Sequence, residues 1–209
     1  MRLCLQAACI VLLSTLPSCT YNTSGPPRPS TSSGGPGSGQ PALAYTNPQG
    51  TGWLLVQNTG LSSPGKVVLD LVPPASVTSG RGVTLELGGL GTGLSWAKVA
   101  AGDSDLVENV AYTLLAPTDL PTASKVLMGI TKGTVLEVAV IQKGNAGITP
   151  NATYNGKAVL TIAVQLNAAG GAQSGPQPAV TVLKASHLSA ADVREDITSQ
   201  VLVGTLTVN

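Results

Sequence analysis

The sequence has no phenylalanine, one histidine, three cysteines and few charged residues, which make up only 10% of its 209 positions. Cysteine and histidine are the usual zinc ligands, so their scarcity argues against a transition-metal centre. Basic and acidic residues nearly balance at a formal charge of +1, without the basic patch that binding to nucleic acid requires. After the first twenty residues, no apolar run approaches the eighteen residues of a membrane-spanning helix.

The chain begins with an apolar segment that has the length of a secretory signal core and is too short to span a bilayer. Arg2 supplies the positive start, and the apolar residues end at Leu16-Pro17-Ser18-Cys19. This ending resembles the signal of bacterial lipoproteins, whose motif is Leu, two mostly small residues and Cys. Pro17 departs from the family, which prefers Ala, Ser or Thr there. The resemblance implies a signal peptide at residues 1–18, cleavage before Cys19 and lipidation of Cys19.

A lipid on Cys19 would make this an exported protein that is anchored to a membrane. By the family's sorting rule, Thr20 after the cysteine favours the outer membrane if the host has two membranes. The alternative is an ordinary secretory signal cut near Ser18, which would leave Cys19 as a lone thiol. In both cases Cys4 and Cys9 are removed, so the mature chain has no disulfide and its core must stabilise the fold.

Two further segments follow the signal. Residues 19–42 hold the candidate lipidation site and a stretch that is nearly all Ser, Thr, Gly and Pro, with Arg28 as its only charge. Such a composition buries too little apolar surface to become ordered, so we expect a disordered linker. Residues 43–209 consist of short β-rich runs between Gly, Pro and Asn turns, and they predict a single β-sandwich domain.

The strands are predicted from β-branched and aliphatic runs, several of which alternate with period two. In one of them Glu137 should face solvent, so Leu136, Val138 and Val140 should face the core. Gly133 should supply the positive φ of a tight hairpin turn. The expected strands are 52–57, 66–72, 82–87, 93–100, 110–116, 125–131, 134–142, 157–166, 179–184 and 201–208.

One segment, Ser189–Ile197, hints at a helix because Ser189 and Asp192 have the spacing of a capping box. It would have at most two turns, and a looped excursion is the alternative. About ten short strands with almost no helix predict an all-β fold of two packed sheets.

Four stretches of the domain share a pattern of strands and turns: Val67–Leu71; Gly82–Leu87 with Trp96–Val99 and Gly102-Asp103; Gly156–Val164; and Val180–Ala185 with Asp192 and Gly204–Val208. This pattern resembles cohesin domains and the related carbohydrate-binding sandwiches. The family's Tyr-Asp-Pro after an early strand is missing, and the chain has no dockerin-like repeat. The resemblance implies an immunoglobulin-like, cohesin-like β-sandwich that binds or scaffolds another macromolecule without catalysis.

Catalytic and metal chemistry have few candidate residues. His187 is the only histidine, and sequence adjacency to Ser186 and Asp192 does not assemble a hydrolase triad, so we expect no enzyme and a solvated or strand-end histidine.

Calcium is the one plausible ion, because oxygen ligands crowd a single loop, although that loop lacks the EF-hand order and a polar turn is the alternative. These candidate calcium ligands are Asp103, Asp105, Glu108 and Asn109.

Sugar binding by a sandwich needs exposed aromatic rings, and the domain has few. Trp96 lies among apolar residues and should belong to the core. Tyr154 lies in an Asn- and Gly-rich loop and is the best candidate for an exposed ligand-binding ring. The other aromatic residues of the domain are Tyr45, Trp53 and Tyr112.

The leading hypothesis is therefore a surface-tethered lipoprotein whose non-catalytic domain contacts an envelope or extracellular macromolecule. The partners expected are the membrane, through the lipid on Cys19, and a protein or polysaccharide, but no nucleic acid. A carbohydrate-binding module on the same tether and a purely structural envelope lipoprotein are the two alternatives. No cofactor is expected, apart from the candidate calcium ion.

Overall fold

The computed structural model shows β-strands and turns, with one short 3-10 helix at Thr198–Gln200. None of its described residues form a helix with the length and apolarity that a membrane crossing requires. The residues that the structure describes are 41–97, 125–142, 152–168 and 171–209. Outside these ranges lie the signal, Cys19, the linker to residue 40, the expected strand 110–116 and the candidate calcium ligands Asp103, Asp105, Glu108 and Asn109.

The strands are short, and most of them match the β-rich runs of the sequence. Their bounds in chain order are β1 Leu43–Thr46, β2 Trp53–Gln57, β3 Lys66–Val72, β4 Ser79–Gly80, β5 Gly82–Gly88, β6 Leu94–Trp96, β7 Lys125–Lys132, β8 Val135–Gln142, β9 Ala152–Thr153, β10 Leu160–Leu166, β11 Gly175–Pro176, β12 Thr181–Leu188, β13 Arg194–Asp196, β14 Val201–Leu202 and β15 Thr205–Val208.

Two five-stranded sheets form the body of the fold. Sheet I has the order β14-β2-β3-β10-β6, and sheet II has the order β13-β12-β5-β8-β7. A three-stranded sheet, β1-β15-β11, and a two-stranded sheet, β4-β9, complete the described part. The strand pairs are antiparallel except β14 with β2, which run parallel. The predicted all-β, two-sheet sandwich is confirmed.

The core lies between the two sheets, where alternate side chains of each strand meet. In β8, Leu136, Val138 and Val140 are buried, and Glu137 points away from the core, as the alternation predicted. Leu160 and Ile162 of β10 are fully buried on the facing sheet. Each such side chain contributes roughly 1.5–3 kcal/mol when it is removed from water. The core therefore carries the stability that a disulfide cannot supply here.

The centre of sheet I is buried on both of its faces. Val68 and Ala163 are cross-strand partners on the face turned away from the core, and neither side chain is exposed. Ala97 joins them in a small second cluster of buried residues. Because β3 and β10 are buried on two sides, their sequences are nearly continuous apolar runs instead of cleanly alternating ones.

One predicted turn is confirmed, and the segment that hinted at a helix, with a looped excursion as the alternative, forms a hairpin instead. Gly133, with φ of +63°, makes the expected hairpin turn between β7 and β8. The expected helix at Ser189–Ile197 is wrong, because this segment is a hairpin that leads into β13. The amide of Val193 donates to Ser189 Oγ at 3.2 Å, and the amide of Ser189 donates to the Val193 carbonyl at 2.9 Å. The serine therefore caps a turn, not a helix.

Tyr45 joins three separate segments at one edge of the sandwich. Its buried hydroxyl donates to the carbonyl of Leu55 in β2 at 2.8 Å and accepts from the amide of Gly204 at 2.6 Å. Gly204 also divides the expected strand 201–208 into β14 and β15. The Tyr45 side chain thus holds β1, at the start of the domain, against β2 and the C-terminal strands.

We predict that Tyr45 makes the fold sensitive to alkali. Burial raises the pKa of Tyr45 from 10.0 to about 12, and the hydrogen bond from Gly204 opposes part of this rise. The raised value means that this side chain stabilises the folded state fully below pH 10.0 and that the contribution is lost as the pH rises through about 12. In urea unfolding, Tyr45→Phe should lose stability less steeply over that interval than the unaltered protein. If the free energy of unfolding fell equally steeply with pH in both proteins, the Tyr45 phenol would not ionise on unfolding, and the prediction would be wrong.

Candidate functional site

A β-bulge in β12 decides which side chains of this strand face the core. The register with β5 shifts between Val182 and Lys184, so Leu183 is an extra residue, and it is 47% exposed. Val180 and Val182 pack on the core before the bulge, whereas Ala185 and His187 do so after it. An inserted residue exchanges the two faces of a strand, so Lys184 and Ser186 point outwards.

His187 therefore lies inside the sandwich, at the end of the core. It is 2% exposed, and its Nδ1 lies 3.2 Å from Oε2 of Glu195 on the paired strand β13. Its ring centroid is 5.2 Å from that of Trp53 and 5.9 Å from that of Tyr154. Trp53 and Tyr154 meet edge to face, with centroids 6.4 Å apart. We call Trp53, Tyr154 and His187 the aromatic cluster.

Polar atoms in and beside this cluster are buried without a hydrogen-bond partner in the described part of the chain. They are Nε2 of His187, the hydroxyl of Tyr154 and Nε of Arg81. Burial raises the pKa of Tyr154 well above its ordinary value, and the nearby Gly82 amide opposes part of this rise. The Gly82 amide does not make a full hydrogen bond to the hydroxyl, which has no partner among the described residues. A side chain at Gly80 would overlap both His187 Nε2 and the Tyr154 hydroxyl, so the cluster is closed on that side.

Among the described residues, Ser186 does not complete a serine triad with His187. An acid, Glu195, accompanies the imidazole, but Ser186 points to the opposite face of β12. The Ser186 hydroxyl is bonded to Thr84 Oγ1 at 2.7 Å and accepts from Arg194 Nε at 3.1 Å. A nucleophile must lie within hydrogen-bond reach of its base, and these two side chains lie on different faces. The expectation of a solvated histidine is wrong, although His187 does lie near the end of its strand.

The expected exposure of Tyr154 is also wrong, because this ring is only 1% exposed. Strand β9, which directly precedes Tyr154, pairs with β4, and the Tyr154 amide donates to the Thr78 carbonyl at 2.7 Å, which turns the ring towards Trp53. Trp96 is buried as expected, and its Nε1 donates to the Thr134 carbonyl at 2.9 Å. Within the described ranges, the buried tryptophans and tyrosines form no exposed aromatic platform.

The outer face of sheet II is the broad open surface of the described sandwich. It carries a depression of about 200 Å³ that crosses all five strands and a smaller one of about 160 Å³ beside it. We call this surface the sheet II face. Its side chains at the larger depression include Thr84, Glu86, Ile130, Glu137, Ala139, Lys184 and Arg194.

Charge changes sign across the sheet II face. Arg194 and Lys184 lie on β13 and β12, and Glu86 and Glu137 follow on β5 and β8. Lys132, at the end of β7, donates to Glu137 Oε1 at 2.9 Å, and this hydrogen bond raises the pKa of Lys132 above its ordinary value. The face thus has a basic strip, Lys184 and Arg194, and an acidic strip, Glu86 and Glu137. Ile130 and Ala139 add a small apolar area.

The alternation of the sequence indicated which side chains face outwards, but it did not show that they lie together on one face. Glu137 was expected to face solvent, and Thr84 and Glu86 alternate in the same way with the buried Val83, Leu85 and Leu87. Their proximity depends on the pairing of β5 with β8, which brings Glu86 opposite Glu137. Lys184 joins them only because of the bulge. No group of three or more acidic, histidine or cysteine side chains in the described ranges could hold a metal ion.

No family model matches this sequence, and no curated protein matches it. Among solved structures, the chain is similar to the type II cohesin A11 from Bacteroides cellulosolvens, with a TM-score of 0.50, 15% identity, and coverage of 73% of this chain and 96% of that chain. It is also similar to the second type II cohesin module of the ScaA scaffoldin from Acetivibrio cellulolyticus, with a TM-score of 0.44, 11% identity, and coverage of 78% and 91%. The first likeness confirms the cohesin-like, immunoglobulin-type sandwich as the fold.

We predict that Gly80→Ala destabilises the protein through the aromatic cluster. The added Cβ would overlap His187 and Tyr154, which are held by core packing, and overpacking of this kind costs about 1–3 kcal/mol. Gly65→Ala is the matched control, because nothing lies within 4 Å of its Cβ position. Denaturant unfolding should separate the two variants, and equal stabilities would show that the cluster can relax around a methyl group.

Proposed function

We propose that this protein is a non-catalytic binding or scaffolding lipoprotein that contacts a partner protein through the sheet II face. The observation that carries the proposal is the contrast between the two sheets. The centre of sheet I is buried on its outer side at Val68 and Ala163, whereas sheet II presents half-buried and charged side chains around open depressions. A surface that is broad, polar at its edges and only partly apolar is typical of a non-obligate protein interface.

The rigidity of this face supports the same proposal. Its side chains stand on strands that pair with neighbours along nearly their whole length, from β12 through β5 and β8 to β7. A partner would therefore meet a preorganised pattern of charge and would order few side chains on binding. The basic strip at Lys184 and Arg194 and the acidic strip at Glu86 and Glu137 would fix its orientation, since complementary charge gives specificity and register.

The tether is the second part of the proposal. The signal-like segment that ends at Cys19 supports lipidation there, export and attachment to a membrane, with the outer membrane favoured in a host that has two. The linker of residues 20–42 would have a root-mean-square span of roughly 25–30 Å, from about 5–6 Å times the square root of its length. That distance would lift the domain clear of the lipid surface.

Binding of a polysaccharide by the same tethered domain is the weaker candidate. Stacking on sugars needs exposed rings, and in the described part of the chain Trp53, Trp96, Tyr45 and Tyr154 are all buried. A purely structural envelope role would not need the open, charged sheet II face. A protein partner therefore has the better support.

We predict that Cys19→Ala abolishes lipid attachment to the mature amino terminus. Without the sulfur no diacylglycerol can be added, so the variant should leave the detergent phase or keep its signal peptide. Phase partitioning and mass spectrometry of the mature amino terminus measure both results, and Cys9→Ala is the matched control because that residue would be removed with the signal. A variant that has lost its signal peptide and still partitions into detergent would contradict the lipid anchor.

We predict that Lys184→Glu weakens partner capture by the tethered protein at least about tenfold, which corresponds to about 1.4 kcal/mol. The substitution reverses the basic strip at an exposed site, so the fold should be unaffected. Lys157→Glu is the control, because it makes the same charge change at an exposed lysine outside the sheet II face. Cross-linking and quantitative mass spectrometry on envelope preparations would compare the two, and equal capture would exclude this face.

A further inference from the structure

A second surface of the molecule lies between the beginning of β12 and the strand β14. It is a groove of about 580 Å³, and we call it the β12–β14 groove. It shares no lining residue with the two depressions of the sheet II face. Its lining residues are Pro48, Gln49, Val180, Thr181, Val182, Thr198, Ser199, Val201, Leu202 and Val203.

Both walls of the groove are strand edges without a strand partner in the described ranges. On the edge of β12 away from β5, the strand β13 pairs only with Ser186–Leu188. The backbone of Ala185 is bonded to Ile197 and Thr198, and no strand continues that pairing along residues 181–184. Opposite, β14 pairs with β2 on one side only. An unpaired edge offers amides and carbonyls to another extended chain.

The lining of the groove has a distinct chemistry. It contains no acidic, basic or histidine side chain. Val180 and Val182 are two residues apart on one wall, as are Val201 and Val203 on the other, and this spacing matches the side chains on one face of an extended chain. Threonine, serine and glutamine side chains lie between them. A charged residue placed here would find no oppositely charged side chain in the lining.

We infer that the β12–β14 groove binds a short, extended, uncharged segment of a partner protein, which adds as a strand to the free edge of β12. The unpaired edges supply backbone hydrogen bonds, and the valines supply shallow apolar contacts at alternate positions, which is how strand addition obtains affinity and specificity. About four or five residues of extended chain, at roughly 3.3 Å each, would cover the unpaired part of β12. The lining carries no charge and so favours an uncharged segment, and Lys184, at the end of the unpaired edge, lies outside this lining.

The test uses the full-length mature protein in detergent and a labelled peptide of alternating threonine and valine. Fluorescence anisotropy should show saturable binding at concentrations up to about 1 mM. The double variant Thr181→Arg and Ser199→Arg places charge at two exposed positions of the lining, so it should weaken binding at least about tenfold. Thr153→Arg is the matched control, because it alters an exposed strand threonine outside the groove, and it should bind as the unaltered protein does.

Two altered peptides separate strand addition from unspecific contact. Methylation of alternate backbone nitrogens removes the donors that would pair with β12, and glutamate in place of threonine adds charge. Each change should weaken binding at least about tenfold. Binding that survives nitrogen methylation or the double arginine variant would overturn the inference. So would a concentration-dependent dimer that the same variant abolishes, because a second copy of the chain would then occupy the groove.

Discussion

The extra residue Leu183 in β12 is the constraint on which the sheet II face and the β12–β14 groove both depend. Before it, Val180 and Val182 face the core; after it, Ala185 and His187 do. Without the bulge, the alternation of β12 would continue unchanged, placing Lys184 and Ser186 in the core and His187 outside it. An unpaired lysine in the core would cost more free energy than the bulge does, since burial of an uncompensated charge is strongly unfavourable. The valines before the bulge and the alanine after it therefore fix its position.

A chain without a disulfide in its domain must close the sandwich by other contacts, and two aromatic groups serve this purpose. Tyr45 joins β1, β2 and the C-terminal segment through two buried hydrogen bonds. The aromatic cluster closes the end of the core, and Glu195 gives the buried imidazole one polar partner. The polar atoms of both groups lie inside the fold. The tyrosines and tryptophans of the described residues are therefore unavailable to ligands. Four of the charged residues, Glu86, Glu137, Lys184 and Arg194, lie together on the sheet II face.

The sequence was sufficient to predict what depends on local alternation. The bounds of 66–72 agree with β3 and those of 82–87 with β5 to within one residue, and the buried parity of β8 was correct. It was insufficient where long-range pairing decides the outcome. Tyr154 faces inwards because β9 pairs with the distant β4, and the segment after Ser189 extends because Arg194 pairs with Leu188. Turn-forming serine and aspartate fit a helix cap and a hairpin equally well, so only the pairing strand distinguishes the two.

The sheet II face and the β12–β14 groove are adjacent because they use different parts of the same strand. The side chains of β12 after the bulge belong to the face, whereas its free backbone edge before and at the bulge belongs to the groove. The strand β13 occupies the same edge of β12 from Ser186 to Leu188. A segment added in the groove would therefore lie in line with β13 and extend sheet II. A partner bound in this way would bring the rest of its surface beside Lys184 and Arg194, so the two contacts would reinforce each other as linked binding events do.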